Sequence, residues 1–214
     1  MFLLETDCTI YKADGEFLST DICTKLTSKT FEEYDVKALN ERIVKVVFSW
    51  LDPLKIRDKL GIKEQKEVVL WFFIKEKILV TWCSSEESVG HVLRKIENRL
   101  HVRFEKINIF DRAKNPLNFN TFAQLSSIHI LNNELMSFEE DDAFNFDKKI
   151  SFQTVSNEEY NDYIDKSLIT SLTFKNLNKH FYFYVDKESI VSFPEAMKVA
   201  DVINVLEKII KKSK

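Results

Sequence analysis

Apolar runs alternate with amphipathic stretches along the chain, and their spacing predicts strands followed by helices. The runs KEVVLWFFI (residues 66–74) and ILVTWC (78–83) flank the charged turn KEK and predict a buried β-hairpin. Residues 85–100 then carry apolar side chains at helical spacing, which predicts an amphipathic helix. The N-cap of this helix is predicted to be Ser85 alone, or Ser84 paired with Glu87.

The N-terminal part of the chain predicts a mixture of strands and helices. Asp14–Gly15 is typical of a tight hairpin turn. The pattern Thr30-x-x-Glu33 is that of a capping box and predicts the start of a helix. Pro53 ends the next apolar run, because proline cannot donate to a strand ladder. The predicted elements are strands at 8–12 and 17–23, a helix over about 31–42, a strand at 43–51 and a short helical turn at 54–62.

From residue 101 onward the sequence again predicts short strands and capped helices. Ser156-x-x-Glu159 predicts a capped helix, and Ser192-x-x-Glu195 predicts another with Pro194 in its first turn. The predicted elements are strands at 101–110, 126–132, 148–155, 167–175 and 180–185, with helices at 157–168 and about 193–212.

Residues 67–100 and 168–212 share the predicted order strand, turn, strand, amphipathic helix. We therefore predict an α+β fold with mainly antiparallel sheets built from hairpins, in which each half is closed by an amphipathic helix as a ββα-like unit. The predicted organisation is an N-terminal half at 1–110, a connecting loop and short helix at 111–125, and a C-terminal half at 126–214. A single continuous domain is the alternative.

The composition argues against several classes of protein. The 214 residues include only 3 glycines, which disfavours a glycine-rich loop around a phosphate. The three cysteines form no CxxC pair, which fits a reducing cytosol. The first residues lack the basic segment of a signal peptide, and the longest apolar run, 68–74, is too short to span a bilayer. We predict a cytoplasmic protein with no membrane partner and no cofactor.

The distribution of charge suggests one surface for nucleic acid. The net charge is −3, so the molecule as a whole does not attract DNA or RNA. Residues 91–116, however, hold seven basic residues against three acidic ones. On the predicted helix 85–100 the basic side chains fall on or beside the outward face, and one more follows the helix. The nucleic-acid-binding candidates are His91, Arg94, Lys95, Arg99 and Arg103.

A second candidate site is acidic. Residues 134–165 hold ten acidic residues against two lysines, and the loop EEDDAFNFD at 139–147 offers carboxylate oxygens to a hard cation. The loop lacks the glycine and the closing glutamate of a calcium-binding EF-hand. The metal-ligand candidates are Asp141, Asp142 and Asp147, which would serve a metal-dependent nuclease or phosphodiesterase.

Cys83 lies between a predicted strand and a predicted helix, where enzymes often place a reactive thiol. Residue 89, where a phosphatase loop needs arginine, is valine, and no glycine flanks the cysteine as in a nucleophile elbow. Glu86 and Glu87 would disfavour a thiolate at this helix N-terminus. We therefore predict no catalytic residue, and assign Cys83 to a structural junction.

These observations favour a non-catalytic interaction subunit with a protein partner, in a bacterial or mobile-element system for nucleic-acid processing or antiviral defence. The alternatives are a metal-dependent nuclease or phosphodiesterase that uses the loop 139–147, and a protein that binds nucleic acid directly through the basic face 91–103.

Overall fold

The computed structural model describes residues 6–52, 55–56, 59–60, 64–83, 85–131, 147–195 and 197–211. The chain divides into two compact units. The N-terminal unit is Asp7–Ile107, and the C-terminal unit is Asn108–Lys214 with the N-terminal residues through Thr6. Both units combine helices with antiparallel strands, so the predicted α+β class with antiparallel sheets is confirmed. Across the described ranges, no helix combines the length and the apolar character that a membrane crossing needs.

The N-terminal unit is built on an antiparallel sheet with the strand order β1-β7-β6-β3-β2, and β8 also pairs with β1. Two very short strands, β4 and β5, pair with each other. The strands are β1 (Asp7–Ala13), β2 (Glu32–Ala38), β3 (Ile43–Asp52), β4 (Lys55–Ile56), β5 (Lys59–Leu60), β6 (Glu64–Phe73), β7 (Ile78–Trp82) and β8 (Phe104–Lys106). The helices of this unit are α1 (Ser19–Lys25) and α2 (Glu86–Leu100).

Helix α2 and the hairpin before it form as the apolar pattern predicts. Its N-cap is Ser85, whose hydroxyl accepts a hydrogen bond from the Ser88 N–H. The buried stripe of α2 joins alternate residues of the sheet in one hydrophobic core. The core members from α2 are Val89, Val92, Ile96 and Leu100, and those from β3 and β6 include Val46, Phe48, Val68 and Leu70.

Three N-terminal predictions are wrong, and in each of them helix and strand are exchanged. Residues 17–23 do not form the second strand of a hairpin, because Ser19–Lys25 is helix α1, with Ile22 buried. Strand β1 pairs instead with β7, far along the chain. Residues 31–42 do not form a helix, because Glu32–Ala38 is strand β2, paired with β3 over its whole length. Within 54–62, the described residues form β4 and β5 instead of a helical turn.

The C-terminal unit contains a second antiparallel arrangement with the strand order β10-β9-β11-β12-β13. A cluster of aromatic rings packs beneath it, in which the Phe174 ring centroid lies 4.9 Å from Phe119 and 5.5 Å from Phe183. The strands are β9 (Ala123–Leu131), β10 (Asp147–Ser151), β11 (Ile169–Asn176), β12 (Tyr182–Asp186) and β13 (Ile190–Ser192). The helices are α3 (Ile109–Ala113), α4 (Asn157–Asp165) and α5 (Val199–Lys211).

Predictions for the C-terminal unit are confirmed in part. The strand predicted at 148–155 is wrong beyond Ser151, where β10 ends and Phe152–Thr154 forms a 3-10 helix. Helix α4 begins with the predicted capping box between Ser156 and Glu159, and β11 and β12 form the predicted hairpin. The start of the last helix is wrong, because α5 begins at Val199 and Ser192 belongs to strand β13. At the boundary between the units, the strand predicted at 101–110 is limited to β8 of the N-terminal unit, and Ile109 then begins α3.

Candidate binding pocket

A pocket of about 360 Å³ lies in the N-terminal unit where β2, β3 and β6 meet the first turns of α2. A neighbouring cavity of about 340 Å³ shares the side chains of Phe31, Trp50 and Leu51 with it. We call the larger cavity the Phe31–Trp50 pocket. Its lining residues are Thr30, Phe31, Glu32, Trp50, Leu51, Lys66, Glu87, Ser88 and His91.

Strand register places the lining side chains together. Glu32 on β2 is the direct partner of Trp50 on β3, and Trp50 is the direct partner of Lys66 on β6. Side chains of directly paired residues share one face of a sheet. Helix α2 covers this face, and its early turns supply Glu87, Ser88 and His91.

Two lining residues, Trp50 and His91, form the aromatic floor of the pocket and belong to a larger stack of flat rings. The His91 ring lies 5.0 Å from the Trp50 ring at an interplanar angle of 25°. Trp50 in turn stacks on Phe48 at 5.3 Å, and Phe48 lies 4.5 Å from Tyr34. Burial raises the pKa of the Tyr34 hydroxyl to about 12, so this ring is neutral in the physiological pH range. A rigid aromatic surface of this kind suits an apolar or flat group.

Phe31 stands at the rim in an unusual backbone conformation. The Glu32 N–H donates to the Lys29 carbonyl at 3.0 Å, so Thr30 and Phe31 are the central residues of a tight turn. Phe31 has φ of 68°, the left-handed region that favours glycine or asparagine at this turn position. Its side chain is nonetheless 56% exposed. A large apolar ring is therefore displayed at a position where the backbone conformation is unfavourable for it.

Glu32 anchors one wall through ion pairs to α2. Its carboxylate accepts from Lys95, and Arg99 Nη2 lies 3.5 Å from its second oxygen. Arg99 also donates to the carbonyls of Lys25 and Thr27, both at 3.1 Å, and its guanidinium lies over the Tyr34 ring. These contacts connect α2 to β2 and to the segment after α1.

The predicted basic face is divided by these contacts. Lys95 and Arg99 are engaged with Glu32, and His91 stacks on Trp50. Arg94 is exposed and donates to the Gly90 carbonyl of its own helix, and Arg103 is exposed after the helix ends. Two of the five residues are thus ion-paired within the fold, and the nucleic-acid-binding role of the set stays a prediction.

Neither Cys83 nor any of the acidic candidates is among the described residues that line the pocket. Asp141 and Asp142 fall outside the described residues, and Asp147 is the first residue of β10. Among the residues that the structure describes, no group of three His, Cys, Asp or Glu side chains is arranged to hold a metal ion. Cys83 is half-buried, and its sulfur accepts from the Ser85 N–H at 3.4 Å.

The ion pairs of Glu32 give stability a defined pH dependence. The hydrogen bond from Lys95 lowers the pKa of the Glu32 carboxyl, and the charges of Arg99 and His91 lower it further. Because this pKa is lowered by folding, the ionised carboxylate contributes stability above the ordinary Glu pKa of about 4.3. That contribution is lost as the pH falls through the lowered, folded-state pKa.

We expect Glu32→Gln to make the loss of stability on acidification shallower than in the wild type. Urea unfolding between neutral pH and pH about 3 measures this dependence. Glu33→Gln is the matched control, since Glu33 is exposed on the opposite face of β2. Equal acid dependence in Glu32→Gln and wild type would show that the ion pairs contribute nothing.

No protein-family model matches the chain, and no curated protein matches its sequence. The chemistry of the Phe31–Trp50 pocket therefore rests on its own residues and their geometry.

Proposed function

We propose that the protein is a non-catalytic interaction subunit that binds a segment of a partner protein at the Phe31–Trp50 pocket. The observation that carries this proposal is Phe31, exposed at the rim with a positive φ. A non-glycine residue in this conformation costs roughly 1 kcal/mol or more, and such residues cluster at binding and switch sites. A partner that covers the Phe31 ring would explain why an exposed phenylalanine is kept in a backbone conformation that lowers stability.

The lining residues define the chemistry of the partner segment. An apolar side chain of the partner fits between the Phe31 ring and the aromatic floor at Trp50. Charged groups of both signs also line the pocket: Glu32 and Glu87 are acidic, and Lys66 is basic. This arrangement matches the apolar core and polar rim of a protein interface.

The pocket provides binding groups more readily than catalytic ones. Glu32 is held by two cations, and His91 lies against Trp50. We place the protein in the cytoplasm, as a subunit of a bacterial or mobile-element system that processes nucleic acid or acts in antiviral defence. The matched ββα-like halves also stay a prediction.

Two alternative functions stay predictions with direct tests. Binding of nucleic acid through the basic face 91–103 would appear as a salt-dependent mobility shift that weakens when Arg94, Lys95 and Arg103 are changed to alanine. A metal-dependent nuclease or phosphodiesterase would lose cleavage in Mn²⁺ on Asp141→Ala and Asp142→Ala.

We expect Phe31→Asn to separate stability from binding. Asparagine tolerates positive φ, so the free energy of unfolding should stay equal to that of the wild type or rise by up to about 1 kcal/mol. A peptide selected on the wild type from a phage-displayed random library should bind Phe31→Asn at least about tenfold more weakly, since the variant lacks an aromatic anchor. Urea unfolding and peptide titration measure the two effects.

The matched control is Leu18→Ala. Its effect on peptide binding is compared with that of Phe31→Ala, the same truncation at the pocket. Leu18 is an exposed apolar side chain of the same unit that does not line the pocket. The control should bind the selected peptide as the wild type does. The proposal is wrong if no selected peptide depends on Phe31, or if Leu18→Ala weakens binding equally.

A further inference from the structure

Phe31 contributes to two cavities that are lined from opposite faces of the N-terminal sheet. The Phe31–Trp50 pocket lies on the face that α2 covers. The neighbouring cavity of about 340 Å³ is lined by Glu33 and Ser49, direct strand partners that alternate with Glu32 and Trp50. Successive side chains of a strand point to opposite faces, so Glu33 and Ser49 lie on the other side of the sheet. A segment bound at Phe31 is therefore in reach of groups on both faces.

Three exposed carboxylates lie at these cavities. Glu87 lines the pocket, and Glu33 lines the neighbouring cavity. Glu67 is the direct strand partner of Ser49, and its carboxylate accepts from the Ser49 hydroxyl at 3.4 Å. Within the part of the chain that the structure describes, none of the three glutamates forms a salt bridge. We call Glu33, Glu67 and Glu87 the acidic rim.

The cavities present fewer basic groups than acidic ones. Lys66 is the one lysine or arginine among the described lining residues. Lys95 and Arg99 pair with Glu32, and neither of them lines a cavity. Lys29 is exposed in the adjacent turn but is likewise absent from both linings. The charged groups that a partner meets at the two cavities are therefore mainly carboxylates.

We infer that the partner segment is cationic, with a lysine or arginine beside the apolar anchor that enters the Phe31–Trp50 pocket. This inference rests on the proposed function, since it specifies the segment that binds at that pocket. The basic side chain pairs with Glu87 on the α2 side, or with Glu33 and Glu67 on the opposite side of the sheet. Exposed pairs of this kind each add little affinity, but they accelerate association and disfavour acidic partners.

Peptides selected on the full-length wild type from a phage-displayed random library, and then titrated against charge variants, test the inference. Peptides whose binding depends on Phe31 should carry lysine or arginine within a few positions of the apolar anchor. Each of Glu33→Gln, Glu67→Gln and Glu87→Gln should raise the dissociation constant about twofold to fourfold, and the triple variant about tenfold. Added salt should weaken binding to the wild type, and this dependence should become shallower in the triple variant.

Glu41→Gln is the matched control. Glu41 is an exposed carboxylate in the turn between β2 and β3, at the opposite end of this hairpin from Phe31. The control should bind the selected peptides as the wild type does. If Glu41→Gln weakened binding as much as Glu87→Gln, the attraction would come from overall charge and the inference would be overturned.

Two further outcomes separate this inference from the proposed function. Peptides that depend on Phe31 but lack basic residues, or that bind the triple variant unchanged, would overturn the cationic segment and leave docking at the pocket intact. The absence of any peptide that depends on Phe31 would overturn both.

Discussion

Replacing Phe48 by alanine should lower the free energy of unfolding by about 3–5 kcal/mol, the usual cost of removing a buried aromatic ring. Phe48 is fully buried on β3, where its ring lies between Tyr34 and Trp50. The His91 ring is stacked against it as well, at 6.4 Å. The substitution therefore removes the support of the pocket floor together with part of the core.

Urea denaturation followed by far-UV circular dichroism measures this loss. Phe48→Leu keeps most of the buried volume, so we expect it to cost only about 1–2 kcal/mol and to leave the protein folded. Peptide affinity should fall in Phe48→Leu, because Trp50 loses its flat neighbour. A cost below about 1 kcal/mol for Phe48→Ala would contradict the packing of β3 against α2.

Replacing Arg99 by alanine should lower the free energy of unfolding by about 2–3 kcal/mol. The guanidinium donates to the carbonyls of Lys25 and Thr27 and pairs with Glu32, and its side chain is only 15% exposed. Removing it leaves a mostly buried carboxylate with one cation and two carbonyls without their donor. Arg99 thereby helps to hold β2 against α2, and these two elements supply residues that line the pocket.

Arg94→Ala is the matched control for this prediction. Arg94 lies on the same helix but is exposed and bonds to its own helix backbone, so its removal should change stability by at most about 0.5 kcal/mol. A similarly small effect for Arg99→Ala would contradict the stabilising role of its contacts with Glu32, Lys25 and Thr27.

Local patterns predicted the elements whose formation depends on near neighbours. The hairpin of β6 and β7, the Ser85 cap and helix α2 all follow from residues within about 35 positions of one another. The capping box of α4 is equally local, since Ser156 and Glu159 satisfy each other directly.

Strand β2 was mispredicted because its local pattern supports two structures. Thr30 and Glu33 match a capping box, yet the half-buried residues Glu32, Tyr34 and Val36 alternate with exposed ones at the period of a strand. Pairing with β3 decides between them. The many charged residues of β2 also suit a strand at the edge of its sheet, where they discourage aggregation.

Because residues 31–42 are predicted as a helix, the sequence does not predict the pocket that β2 helps to form. Glu32 meets Lys95 across 63 positions of sequence, and no local pattern connects them. The helical pattern alone therefore predicts an outward basic face, although Lys95 and Arg99 contact the Glu32 carboxylate on β2. Composition likewise could not reveal that Phe31, one of 18 phenylalanines, is exposed at a positive φ.

Amide hydrogen exchange of the full-length protein, with and without a saturating selected peptide, tests the proposed docking function most directly. We predict slower exchange in the turn at Thr30–Glu32 and in the first turns of α2 around Ser88 and His91, which line the pocket. Binding of the peptide with unchanged exchange at these positions, and slowing elsewhere in the chain, would contradict the assignment of the Phe31–Trp50 pocket as the docking site.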